Sequence, residues 1–388
     1  MKKRNPMKLA SLAVLLAGTT VFTPGFTVKA ESTQNISNSS EAHDQKNRNG
    51  WKRVMQETIQ IGAPGVLAKT SNKGKISSYT AGVADLSTKK PVKSDYRFRI
   101  GSVTKTFTAT TVLQLVGENR VQLDDSIEKW LPGLVQGNGY DGNQITIRQL
   151  LNHTSGIAEY LKSKDADIMN SKKTYTAEEI VKIGLSLPPD FSPGKDWLYS
   201  NTGYVILGML IEKITGNSYS EEIEKRIIEP LDLPNTFLPG NSPVIPGKNH
   251  ARGYVKMDET GELKDITYYN PSLANAAGDM ISNADDLNKF FSSLLGGKLL
   301  KERELKEMLT TVPIEGKGVG DAYGLGIYET KLPNGVSVWG HGGGIPGFAT
   351  FAGGVIGGKH TLAISLNSIG GVDIVPQLNK MMQIEFNK

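Results

Sequence analysis

The 388-residue sequence contains no cysteine. This excludes disulfides, a thiol nucleophile, cysteine-type zinc sites, iron–sulfur clusters and a lipid anchor on an N-terminal cysteine. No apolar run approaches the ~20 residues that a membrane-spanning helix needs. His-Glu-x-x-His, a phosphate-binding glycine loop and the Gly-x-Ser-x-Gly elbow are missing too, which removes the usual metalloprotease, P-loop and α/β-hydrolase readings. Excess charge is also lacking. The formal net charge is +5, but Lys2, Lys3, Arg4, Lys8 and Lys29 supply that surplus within an N-terminal stretch free of acids. The remainder is neutral, so there is no electrostatic case for nucleic acid as a partner.

What is present suits a large enzyme. Hydrophobic residues make up 38% and charged residues 21%, enough for a sizeable core. Residues 1–8 are basic, Leu9 to Val21 are mostly apolar, and Val28-Lys29-Ala30 resembles a cleavage site. That order predicts a secretory signal over residues 1–30 and a mature chain starting near Glu31, outside the cell or loosely held at its wall. Residues 31–50 are polar apart from Ile36 and read as a flexible lead or a processed propeptide.

No internal repeat is evident, and the two ends of the chain read as strands. Val66-Leu67-Ala68 follows Pro64-Gly65, and Ile76 to Val83 alternates loosely. Tyr328–Lys331 and Val336–Trp339 flank the turn signal Pro333-Asn334-Gly335, and Phe351–Ile356 and Thr361–Leu366 flank Gly357-Gly358. Asp373 to Phe386 has helical apolar spacing. Between the ends, Ala177–Leu185, Tyr204–Ile214, Tyr219–Ile228 and Leu299–Leu309 also read as helices. The simplest architecture is an antiparallel sheet made from both termini and flanked by helices, with a mainly helical region inserted. On this division residues 51–388 form one unit, with a sheet part at about 51–100 and 322–388 and a helical part at about 101–321.

Gly101-Ser102-Val103-Thr104-Lys105 is the first chemical candidate. A serine hydroxyl is a weak nucleophile and needs a base. A lysine three residues on can serve only if the segment is helical, because a strand would put the two on opposite faces. Thr104, Thr106, Thr108, Thr110 and Thr111 argue for a strand, whereas Leu113, Val116 and the terminating Gly117 argue for a helix, which is the expectation adopted. Tyr199-Ser200-Asn201 follows the turn Ser192-Pro193-Gly194 and precedes a helix, so Tyr199 and Asn201 can face one cleft. His341-Gly342-Gly343-Gly344 follows the strand ending at Trp339, where glycines let a substrate backbone approach closely.

Ser-x-x-Lys, Tyr-x-Asn and His-x-Gly in this order resemble the penicillin-recognising serine hydrolases of the class C β-lactamase and D-alanyl-D-alanine carboxypeptidase family. Locally the chain resembles the secreted D-stereospecific (alkaline) D-peptidases of Bacillus. Phe98–Ser102, Leu150–Gly156, Pro193-Gly194, Asn201–Tyr204 and Ala277–Met280 support the likeness, which covers roughly residues 50–380. It implies a β-lactamase/transpeptidase-like α/β (α+β) fold with the active site between a sheet part and a helical part. It implies Ser102 as the acylated nucleophile, Lys105 as its proton acceptor, and Tyr199 as a second base with a lowered phenol pKa. Asn201 would hold the substrate amide, His341 and Gly343 would line the cleft, and the N–H groups of Ser102 and Gly344 would form the oxyanion hole. No cofactor or metal is called for, and a monomer is expected. Partners would be small peptides with D-residues, β-lactams or cell-wall peptides.

Lys-Thr-Gly and Ser-Asp-Asn are absent, so the class A β-lactamase arrangement does not fit. Gly342 stands where Streptomyces-type carboxypeptidases often carry a threonine that binds a terminal carboxylate, which leaves room for substrates continuing past the scissile bond. The rival readings are a class C-type β-lactamase, a wall D-alanyl esterase and a non-catalytic penicillin-binding module. Lys105 and Tyr199 both remain open as the general base. His153 falls outside the three motifs and reads as structural.

Overall fold

The structure is a computed structural model that describes residues 36–170, 172–256, 262–314, 320–370 and 374–387. Its frame is an eight-stranded antiparallel sheet. In chain order the strands are β1 (Gly65–Asn72), β2 (Lys75–Gly82), β3 (Val312–Pro313), β4 (Ala322–Tyr323), β5 (Tyr328–Lys331), β6 (Ser337–Ile345), β7 (Phe348–Gly354) and β8 (His360–Leu366). Their spatial order is β2-β1-β8-β7-β6-β5-β4-β3. Val66 pairs with Leu366, so strands from the two ends of the chain lie side by side within the sheet, as expected from the sequence.

The sheet is covered on both faces, and the period-two alternation of its strands separates two cores. On one face Val66, Ala68, Leu362, Ile364 and Leu366 pack against Trp51, Val54 and Met55 of helix α1 (Ile36–Gln60) and Leu378, Met381, Met382 and Phe386. On the other, Leu67, Ala352 and Ala363 join the larger core. That core contains α2 (Thr104–Gly117), α3 (Ala177–Leu185), α4 (Asn201–Thr215) and α5 (Ala284–Leu295). The chain closes with α6 (Val375–Phe386), whose Pro376 lies in the first turn, where a missing N–H costs nothing.

Three expectations need adjustment. Residues 36–50, read as part of a flexible lead or processed propeptide, are helical and open α1. Residues 45–50 there are exposed or half-buried, and the helix is anchored further on by Trp51, which is fully buried and stacks on Tyr79 at 4.5 Å. The expected helix over Tyr219–Ile228 is an α-helix only to Ile223 and continues as a π-turn over Glu224–Ile228. The Leu299–Leu309 helix is shorter, Glu302–Met308. Helix α5 was not anticipated; Asn283 caps it by accepting from Asp286 N–H at 2.9 Å. The predicted signal over residues 1–30 lies outside the described residues. Among the described residues no helix is long and apolar enough to cross a membrane.

Candidate active site

Ser102 lies in a one-turn 3-10 helix, Gly101–Val103, that runs straight into α2. The threonines that argued for a strand are accommodated because their hydroxyls find carbonyls. Thr110 and Thr111 bond back to Thr106 O and Phe107 O at 2.7 and 3.1 Å, while Thr106 and Thr108 reach Gly326 O and Ala276 O, each at 2.8 Å. Buried hydroxyls thus tie α2 to two neighbouring segments and offset the poor helix propensity of β-branched residues. The helix puts Lys105 one turn behind Ser102, with Nζ 3.2 Å from Oγ.

Lys105 is fully buried. Its amine also donates to Asn201 Oδ1 at 2.6 Å and to Ala277 O at 2.7 Å. It lies 4.8 Å from the Tyr199 ring centroid and 5.3 Å from that of Tyr204. Burial lowers its pKa to about 7, against the opposing pull of the Glu159 carboxylate. Near neutral pH a large fraction of this amine is therefore free to accept a proton from the adjacent hydroxyl.

Glu159 escaped the sequence reading because no motif spacing marks it. It is buried, and it accepts from the backbone N–H of Asn201 at 2.6 Å, from Asn201 Nδ2 at 2.9 Å and from Leu161 N–H at 3.0 Å. Burial raises its pKa. Asn201 is therefore engaged at both ends of its side chain, by Lys105 and by Glu159. The sequence assigned it to a substrate amide; in this structure its Oδ1 accepts from the lysine and its Nδ2 donates to Glu159.

Tyr199 enters from the loop before α4, with its ring 4.8 Å from Lys105 Nζ. The expected lowering of its phenol pKa is not found. Burial dominates and pushes it well above the ordinary value, Tyr328 adds to the rise, and the nearby Ser102 hydroxyl opposes it only in part.

The opposite wall is β6. A Cβ built on Gly343 would fall 1.9 Å from Ile100 O and 3.2 Å from Ser102 N, and one on Gly101 (φ +51°) would fall 2.9 Å from Gly344 N. Only glycine lets the strand lie this close to the serine turn. Gly342 N–H donates to the Tyr328 hydroxyl at 3.1 Å, on the side away from β7. By the two-residue repeat of a strand, Gly344 N–H points the same way, past the end of β5, whose pairing with β6 stops at Gly340. Gly344 is exposed there, beside the half-buried Ser102. The seam therefore brings two backbone N–H groups near the hydroxyl that would attack.

His341 was expected to line the cleft; its side chain lies on the face of β6 that meets the serine turn, fully buried, with its ring 6.3 Å from that of Tyr199. Its ring meets the Tyr323 hydroxyl at 3.0 Å through Nε2, and through Nδ1 the Tyr328 hydroxyl at 3.2 Å and Gly342 O at 2.6 Å. Burial and nearby Lys105 lower its pKa to about 3. His153 is distant from the motifs only along the chain. Its ring packs 4.3 Å from that of Tyr199, Nδ1 accepts from Ser200 N–H at 3.2 Å, and Nε2 lies 3.2 Å from the Tyr323 hydroxyl. It is positively twisted (φ +63°) and buried, and its pKa is held well below the usual value by burial, Lys105 and His341. Among the described residues no group of His, Asp and Glu could hold a metal ion.

Residues 46–378 match the family model described as Beta-lactamase. The chain belongs to the beta-lactamase family. The resemblance carried by the three motifs, to penicillin-recognising serine hydrolases, is borne out, and so is the fold. A D-stereospecific amidohydrolase from Streptomyces sp. superposes with a TM-score of 0.81 at 41% identity, covering 87% of this chain and 98% of that one. The D-amino acid amidase from Ochrobactrum anthropi SV3, in its complex with L-phenylalanine amide, gives 0.78 at 31% identity, covering 88% and 99%. Penicillin-binding protein 4* of Bacillus subtilis (strain 168) is 30% identical over 70% of this chain. The alignment spans 61% of that relative's length.

Proposed function

We propose that this protein is an exported serine hydrolase that cleaves amide bonds following a D-residue, in short peptides or peptide amides, through an acyl-enzyme on Ser102. The observation that carries the reading is the Ser102–Lys105 pair, 3.2 Å apart, with a buried lysine of depressed pKa, facing the glycine seam of β6. The names of the two structural neighbours, a D-stereospecific amidohydrolase and a D-amino acid amidase, support the D-amide preference.

In the first step Lys105 Nζ takes the Ser102 proton as Oγ bonds to the substrate carbonyl carbon. The carbonyl oxygen becomes an oxyanion held by the N–H groups of Ser102 and Gly344. Collapse breaks the C–N bond, and the lysine proton leaves on the amine. Water then attacks the ester, giving its proton to Lys105, and the acid departs as Ser102 regains a hydrogen. Lys105 is the base in this scheme because its free amine is populated near neutral pH, whereas the Tyr199 phenolate is not. Tyr199, beside Lys105, shields the base from water and leaves proton transfer to the lysine. Gly342 offers no hydroxyl to a terminal carboxylate, which favours substrates that continue as an amide past the cleaved bond.

The test is hydrolysis of matched peptide amides and acids carrying D- or L-phenylalanine or alanine at the acyl position, with Ser102→Ala alongside. D-selective cleavage lost in the folded variant is expected, and the amide-to-acid ratio separates endopeptidase from carboxypeptidase action. Cleavage that survives in Ser102→Ala rejects the nucleophile. A β-lactam-binding reading draws on the penicillin-binding relative. Penicillin bound covalently to Ser102, with no D-peptide cleaved, would favour it. Export is checked by locating the protein in culture supernatant against cell fractions.

A further inference from the structure

The hydrogen bonds between the two buried histidines have only one consistent direction. Ser200 N–H can only donate, so His153 Nδ1 must be unprotonated. A neutral ring then carries its proton on Nε2 and donates it to the Tyr323 hydroxyl. Tyr323, with that acceptor site filled, directs its own proton to His341 Nε2. His341 must therefore be protonated on Nδ1, and Gly342 O stands 2.6 Å from that nitrogen to accept. A backbone donor fixes one end and a backbone carbonyl fixes the other, so the two rings hold opposite tautomers. Protonating His153 would set its Nδ1–H against the Ser200 N–H.

The ends of this chain are the two walls of the site. Ser200 lies between Tyr199 and Asn201, and Gly342 lies two residues from Gly344. Among the described residues, Tyr323 is the side chain that hydrogen-bonds to both rings; it is fully buried and packed against His153 at 4.8 Å and His341 at 5.9 Å. We infer that Tyr323 is a positioning residue, whose hydroxyl registers the loop of Tyr199 and Asn201 against the strand of Gly342 and Gly344 through oppositely protonated His153 and His341. The inference rests on the proposed hydrolysis for its kinetic meaning and on geometry alone for the tautomers. Tyr323 touches neither Ser102 nor Lys105 by any hydrogen bond described above, so its effect falls on alignment rather than on proton transfer.

The experiment has two arms. Long-range proton–nitrogen NMR of the 15N-labelled full chain near neutral pH, with the rings assigned by His→Gln variants, should show His153 as the Nε2–H tautomer and His341 as the Nδ1–H tautomer. The same tautomer on both rings, or a protonated ring, overturns the inference without any substrate. In the second arm, Tyr323→Phe keeps the ring and deletes the hydroxyl. The expected result is a loss of about 100-fold in kcat with KM within about threefold, and a His341 ring that no longer holds one tautomer. A kcat within about twofold of wild type overturns the positioning role. If wild type cleaves no D-peptide, the rate at which a fluorophosphonate labels Ser102 replaces kcat, so failure of the proposed reaction and failure of this inference are read separately.

Discussion

At Lys105 two forces oppose each other: burial disfavours the ammonium, and the Glu159 carboxylate behind Asn201 favours it. Burial wins, and the consequence is a pH profile. A base works only when unprotonated, so activity should rise as pH increases through about 7 and level off above it, checked by kcat/KM against pH. Lys105→Arg, which stays protonated, should lower kcat at least about 100-fold at any pH in that range. Tyr199→Phe should lower kcat yet leave the acid limb where it is; a limb that disappears with the tyrosine would make Tyr199 the base. Gly343→Ala should cost about 10²–10³ in kcat, because a methyl group 1.9 Å from Ile100 O must push the seam open and move Gly344 N–H away from the serine. The approach of Lys105 to Ser102 was legible in the sequence because a three-residue helical spacing sets it. Glu159, Tyr323 and the burial of His341 were not, because each depends on which distant segment packs behind the motif.

Among the elements, those with local signals were the readable ones. Thr176 and Glu179 form a reciprocal cap on α3, and Thr361–Leu366 lies within β8 as expected. Helix α2 was harder, since its threonines carry a strand preference that only tertiary carbonyl partners overturn. Helix α1 was misread over residues 36–50 because its polar half gives no amphipathic signal. Its anchor is local to Trp51, which stacks on Tyr79 and donates from Nε1 to Glu385 Oε2 at 3.1 Å, while Glu385 Oε1 meets His360 Nε2 at 2.7 Å. One buried side chain thereby joins α1, β2 and α6. Trp51→Ala should destabilise the fold by about 3–5 kcal/mol, read as a lowered Tm and denaturation midpoint. It should leave kcat near wild type at temperatures where the variant is folded, since none of these groups reaches Ser102. A Tm within about a degree of wild type would show that α1 adds little to stability.

For the molecule as a whole, the division into a sheet part and a helical part does not divide the core. Leu67, Phe348, Ala352 and Ala363 from the sheet share one cluster with Val112, Leu207 and Phe290 from the helices. The two parts should therefore unfold together. Thermal unfolding of the unsubstituted chain, followed by tryptophan fluorescence and by far-UV circular dichroism, should give coincident midpoints. Midpoints separated by more than about 3 °C would reveal two units that melt independently. The pairing of Val66 with Leu366 also governs when the enzyme can come into being. A growing chain that has already delivered Ser102, Lys105 and Asn201 still lacks the strands that seat β1 and carry Gly344. No translation product that stops short of Gly344 holds both walls of the site, and refolding from denaturant must close a loop of about 300 residues between Val66 and Leu366, a slow search that precedes any catalysis.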